Sequence, residues 1–162
     1  MFGPWDRFLN LFARLARWLP VIMLASPNAR FQPVHVEDVA RAVVESLELA
    51  RTYDQNYDLC GPTVYTLQEL VEYVCRLMQT ARPILPLNDE MSRVFARMME
   101  WLPVRLMSHD NYLSMKVDSV CDCAFPEVFG FESSPLEAIV PLYLLDSTPR
   151  ARYRWLRFNA RH

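Results

Sequence analysis

Apolar positions recur along this chain with two alternating periods. From 5 to 19, "WDRFLNLFARLARWL" sets Trp5, Phe8, Leu9, Phe12, Leu15 and Leu19 at helical spacing, with Arg7, Asn10, Arg14 and Arg17 on the other side, so an amphipathic helix is expected that Pro20 stops. The short run Val21–Leu24 leads through the turn-like "SPNAR" into "RFQPVHVEDVA". In that stretch Phe31 to Val36 predicts a strand. Glu37 and Asp38 are acids suited to a helix start, and Val39, Val43, Val44 and Leu47 carry one apolar face on to about Ala50.

The alternation then repeats. "NYDLCG" at 56–61 predicts a second strand closed by Gly61 and Pro62, and Thr66 with Glu69 forms the T-x-x-E capping box that should open a helix over 67–79. "RPILPL" at 82–87 reads as an extended edge, because its prolines cannot donate to a ladder. Asn88 or Asp89 should cap a helix running to about Leu102, and Ser108 a shorter one to about Val117. Ser134, Pro135 and Glu137 suggest another capping box, opening a helix to about Leu145 with a kink near Pro141. Alternating helices with three or four short strands make this an α/β chain, helix-rich and without internal repeats.

Composition narrows the chemistry. With 162 residues, 52% of them apolar, the chain can fill a sizeable core. Only Gly3, Gly61 and Gly130 occur, so neither G-x-G-x-x-G nor a Walker loop exists to bring backbone N–H groups onto a phosphate. No apolar run approaches the roughly 20 residues of a membrane span, and no signal-peptide pattern opens the chain; cytoplasmic residence is expected by default. Cys60, Cys75, Cys121 and Cys123 lack zinc-ribbon spacing and are expected as reduced structural thiols. Residues 147–162 differ in kind. They hold five of the 17 basic residues and no acid, leaving 12 basic against 19 acidic in the body at 1–146. Tyr153, Trp155 and Phe158 interleave those arginines, but beside so acidic a body a solvated, mobile tail is the plainer reading, and nucleic acid is not expected as a partner.

"FGP" at 2–4, "FQPVHVEDVARAV" at 31–43, "YDLCGPTVYTLQELVEYV" at 57–74 and "FESSPLEAIVPLYL" at 131–144 together resemble the C-terminal half of an atypical short-chain dehydrogenase/reductase of the NAD-dependent epimerase/dehydratase kind. The branch they are most similar to is the NAD(P)H-binding accessory subunit of respiratory complex I and its bacterial relatives. The resemblance covers the chain to about residue 146. It implies a helix-rich, partial Rossmann-like C-terminal subdomain, with the dinucleotide fingerprint and catalytic Y-x-x-x-K lying upstream of "FGP". This chain alone is therefore expected to bind no cofactor, NAD(P) belonging to the parent family, and to be inactive by itself. Its implied partners are the missing Rossmann half or a second copy of the chain, within a respiratory or membrane-associated complex.

Tyr112 and Lys116 reproduce Y-x-x-x-K on one helix face, yet follow the elements they should precede, so coincidence is preferred. His35 matches the histidine of the family's V-H-V run and is a candidate beside a substrate pocket, against a packed, hydrogen-bonded strand-end histidine. Related nucleotide-sugar epimerases place an arginine four residues before that histidine; here the position holds Phe31, and Arg30 is one residue off, which in a strand reverses its face. Arg30, Phe31 and His35 are thus the substrate-site candidates, with no catalytic or metal residue assigned. Methionines such as Met91, Met98, Met99, Met107 and Met115 suit either a pocket for a lipid-like tail or ordinary core filling. Phe8, Phe12, Leu15 and Phe31, facing where the absent half would sit, are the expected interface.

Overall fold

The computed structural model describes residues 1–88, 90–92, 94 and 117–145. Helix α1 spans Arg7–Trp18. Its start is set by Asp6, whose carboxylate accepts the Leu9 backbone N–H at 2.7 Å, and Leu19 closes it, its N–H reaching the Leu15 carbonyl at 2.8 Å just before Pro20. Strand β1 (Ile22–Leu24), strand β2 (Arg30–Phe31) and helix α2 (Val36–Glu48) follow. Strand β3 (Tyr65–Thr66) runs directly into helix α3 (Leu67–Leu77), strand β4 is Ile84–Pro86, and helix α4 is Leu136–Leu144.

The strands form two small sheets among the described residues. β1 and β4 are parallel, Ile22 opposite Ile84 and Leu24 opposite Pro86, while β2 and β3 are antiparallel, Arg30 opposite Thr66. Two isolated bridges extend the second pair: Phe31 meets Ser119, and Phe2 meets His35 through the Phe2 N–H to Val34 O and Val36 N–H to Phe2 O bonds, each 2.9 Å. The polypeptide returning at Ser119 is thereby sewn onto β2.

Helix α3 organises the core. Its Leu67, Val71 and Cys75 enter one buried cluster with Ala16, Ile22, Leu24 and Ala29, and its Leu70 and Val74 enter the other with Phe2, Leu9, Ala13, Leu136, Val140 and Leu144. The small Ala13 and Ala16 of α1 let that helix approach α3 closely. Each fully buried Leu or Val here is worth about 1.5–3 kcal/mol. Phe8, Phe12 and Phe31 are half-buried against both clusters.

The mixed α/β class and the helix positions agree with the pattern, and the Thr66/Glu69 capping box is present in both directions. Several local expectations are corrected. The strand expected over 31–36 contracts to Arg30–Phe31, because β3 offers only two residues to pair with it. "NYDLCG" at 56–61 forms no strand among the described residues, having no ladder partner. At α4 the Ser134 hydroxyl does not cap its own helix; it donates to Asp38 at 3.1 Å, and the N-cap position falls on Pro135. Cys60 and Cys121, expected as reduced thiols, are joined in a disulfide with Cα atoms 6.4 Å apart. The loops that carry them are aligned by Gln32, whose side-chain amide donates to Gly61 O at 2.8 Å while its carbonyl accepts Cys121 N–H at 2.9 Å. Gly61 is required there, since a Cβ would run into the Pro33 carbonyl oxygen. Asn88 does cap the helix it precedes, accepting Met91 N–H at 2.9 Å. The remainder of that helix, the one expected from Ser108, Tyr112 with Lys116, Met98, Met99, Met107 and Met115, and the tail at 147–162 lie outside the described residues.

Candidate functional site

The "VHVED" segment sits where the N-terminal turn, β2 and the starts of α2 and α4 meet. His35 is the N-cap position of α2 and is buried, 5% exposed, with its ring against Phe2 at a centroid distance of 5.3 Å. Its Nδ1 lies 4.0 Å from Asp38 Oδ1, too long for a hydrogen bond. Asp38 is committed elsewhere: its carboxylate accepts the Ser134 N–H at 2.6 Å and the Ser134 hydroxyl at 3.1 Å. The three side chains form no relay, because the serine donates to the carboxylate and no nucleophile is presented to the imidazole. What the cluster does is fasten the start of α4 to the start of α2.

The other two candidates do not converge on it. Arg30 is exposed, and the next residue, Phe31, turns inward to meet Phe8 at 5.9 Å between ring centroids, as strand alternation requires. Sequence reasoning also missed two tyrosine–carboxylate latches on α4. Tyr143 donates to Asp6 Oδ2 at 3.2 Å, and Tyr65 donates to Glu137 Oε1 at 2.6 Å. Burial raises the Tyr143 pKa above the usual tyrosine range, the Asp6 charge adding to it, and burial with the Glu137 bond pushes Tyr65 up to about 12. Asp6 itself is raised by burial, against the opposing bonds from Leu9 and Tyr143. Nothing in the spacing announces such pairs, whose members lie 137 and 72 residues apart. Cys75 is buried and its thiol is pushed up by desolvation, so it is a packing residue.

The expected interface residues Phe8, Phe12, Leu15 and Phe31 are half-buried, the three phenylalanines packed against the clusters that α1 and α3 build within the chain. A different face stands open. On α2 the outward stripe is Val36, Ala40, Val43 and Leu47, with Val44 beside it, and Val43, Val44 and Leu47 are 54%, 59% and 71% exposed. Ala42 is the only buried residue of that helix. Toward the body α2 presents Asp38, Val39 and Ala42, while Glu37, Arg41 and Glu48 share the exposed side with the aliphatic stripe, so most of its apolar surface is left uncovered by the described residues.

No known family pattern matches the chain. Individual proteins do. The chain is 34% identical over 163 residues to NADH dehydrogenase (ubiquinone) 1 alpha subcomplex subunit 9, mitochondrial, of Mus musculus, covering 96% of this chain and 42% of the mouse protein. These subunits are its homologues. The Rattus norvegicus protein of the same name is 28% identical over the same shares, and the NADH-ubiquinone oxidoreductase 40 kDa subunit, mitochondrial, of Neurospora crassa is 29% identical over 85% of this chain and 35% of its own length. The chain thus spans about two fifths of the rodent relatives or less. The mitochondrial relatives overturn the expectation of cytoplasmic residence. That expectation rested on the lack of a signal-peptide pattern and a membrane span, neither of which separates the cytoplasm from an organelle interior.

Proposed function

We propose that this chain is the C-terminal, substrate-binding or accessory portion of a mitochondrial NAD(P)-binding-like subunit of the short-chain dehydrogenase type, inactive without a cofactor half. The observation that carries the reading is α2, whose Val36, Val43, Val44 and Leu47 form an aliphatic stripe that no described residue covers; a stripe of this kind calls for a second body. The strand-patterned residues at 56–61 that find no ladder support the same conclusion, as does the greater length of the relatives. A cofactor half seated on Val36, Val43 and Leu47 would cover the stripe.

Among the described residues, Gly61 and Gly130 do not build a cradle for a dinucleotide phosphate. Gly61 is packed against Pro33, and Gly130, with φ of 69°, closes a short turn of 3-10 helix; neither begins a helix whose N–H groups face outward. Isothermal titration of the chain with NADH and with NADPH should give no saturable heat at micromolar concentrations, and a stoichiometric complex with either would refute the reading. A second reading, a non-enzymatic assembly module that self-associates or docks in a respiratory complex, draws on the same open stripe. Light scattering at low micromolar concentration separates them: a discrete dimer favours the module, a monomer the incomplete subunit.

A further inference from the structure

Helix α1 carries a second exposed stripe, of different chemistry. Arg7, Leu11, Arg14 and Trp18 fall at i, i+4, i+7 and i+11, on the side turned away from α3. Trp18 is 84% exposed, and Trp5, just before the helix, is 95% exposed. Large aromatic side chains so fully in water are unusual on a folded chain. The helix contains no acidic residue. The nearest acid, Asp6, turns its carboxylate inward, to the Leu9 N–H and the Tyr143 hydroxyl. Among the described residues no carboxylate lies within ion-pair distance of Arg7 or Arg14.

We propose that this face of α1 is a peripheral docking surface for a bilayer rich in anionic phospholipid. Arg7 and Arg14 match the negative headgroup layer, and tryptophans flanking a helix suit the boundary between headgroup and acyl chain, where an amphipathic ring is half wet and half apolar. A 12-residue helix, about 18 Å long, would lie flat on such a surface. No described helix is long and apolar enough to cross a membrane. An acidic protein would satisfy the arginines but gives no reason for two indoles so fully exposed on and beside the helix. The proposal does not depend on the assignment of a cofactor half, because α1 and α2 present separate stripes.

The test uses the full chain, sedimented with vesicles of phosphatidylcholine alone and of phosphatidylcholine with roughly a third phosphatidylglycerol, at low and physiological salt. Binding is expected only to the anionic vesicles, weakening as salt rises. Arg7→Gln with Arg14→Gln should weaken it about thirty-fold, from about 1 kcal/mol per arginine near such a surface. Both side chains are exposed, and an unchanged thermal melt would confirm that the fold survives. Vesicles containing brominated acyl chains should quench tryptophan fluorescence in the native chain, and Trp5→Phe with Trp18→Phe should remove most of the quenching. Equal binding to neutral vesicles, or anionic binding untouched by the double arginine variant, would overturn the proposal and point to another surface such as the arginine-rich residues 147–162. Absence of binding to every vesicle would overturn it too, leaving an acidic protein as the ligand of these arginines.

Discussion

Helices α1 and α2 have nearly the same length and the same outward spacing, yet one covers its apolar stripe within the chain and the other leaves it open. α1 turns Leu9, Ala13 and Ala16 onto α3 and Arg7, Arg14 and Trp18 into solvent, whereas α2 turns Asp38 and Ala42 inward and Val36, Val43 and Leu47 outward. A periodic apolar stripe says that a helix has a face to bury. It does not say that the partner lies within the chain. In α1 the stripe is covered by α3 and contributes to folding; in α2 the aliphatic side is uncovered, and the helix is held through its N-terminal half, by Asp38 to Ser134, Val36 to the N-terminal turn, and Arg41, whose guanidinium lies 4.2 Å from the centre of the Phe131 ring.

The contrast is sharpest in stability. Leu70→Ala, on the α3 side of the covered seam, should destabilise by about 3 kcal/mol, the usual cost of a Leu-sized cavity, read from urea denaturation. Asp6→Ala, which removes the cap of α1 and the acceptor of Tyr143, should lower the melting temperature by the equivalent of about 1 kcal/mol.

A pH series probes the latches on α4. Tyr65 and Tyr143 both have folded pKa values raised above that of an unfolded tyrosine, so their contribution is fully present below about pH 10 and is lost as pH rises toward and past the folded values, about 12 for Tyr65. Melting temperatures should therefore fall above pH 10, and Tyr65→Phe with Tyr143→Phe should flatten that decline. On α2, by contrast, Val43→Asp should change the stability of the isolated chain by no more than about 0.5 kcal/mol, as for other exposed positions. A loss comparable to that of Leu70→Ala would mean that the stripe is buried by a second copy.

Elements whose determinants are local were readable from the chain. The α1 periodicity, the capping box at Thr66 and Glu69, and the proline-bearing edge at 84–86 all needed only neighbours in sequence. What depended on distant partners was not. Phe31–Val36 has strand composition throughout but pairs over two residues, since ladder length is set by the shorter strand. Ser134 has capping-box spacing, but its hydroxyl is taken by Asp38, 96 residues away. Cys60 and Cys121 pair across 61 residues, which cysteine spacing cannot reveal. Of the candidate residues, His35 is buried beside Asp38, while Arg30 is exposed and Phe31 turns inward, an arrangement set by partners distant in sequence.

The most direct measurement expresses the part of the mouse relative that lies outside the matched region as a separate polypeptide and titrates it with this chain by calorimetry. The account predicts a stoichiometric complex that Val43→Asp with Leu47→Asp abolishes, because carboxylates in an apolar seam are desolvated without partners, while Phe12→Glu impairs folding instead. A complex indifferent to the α2 substitutions, or none from two well-folded polypeptides, would contradict it.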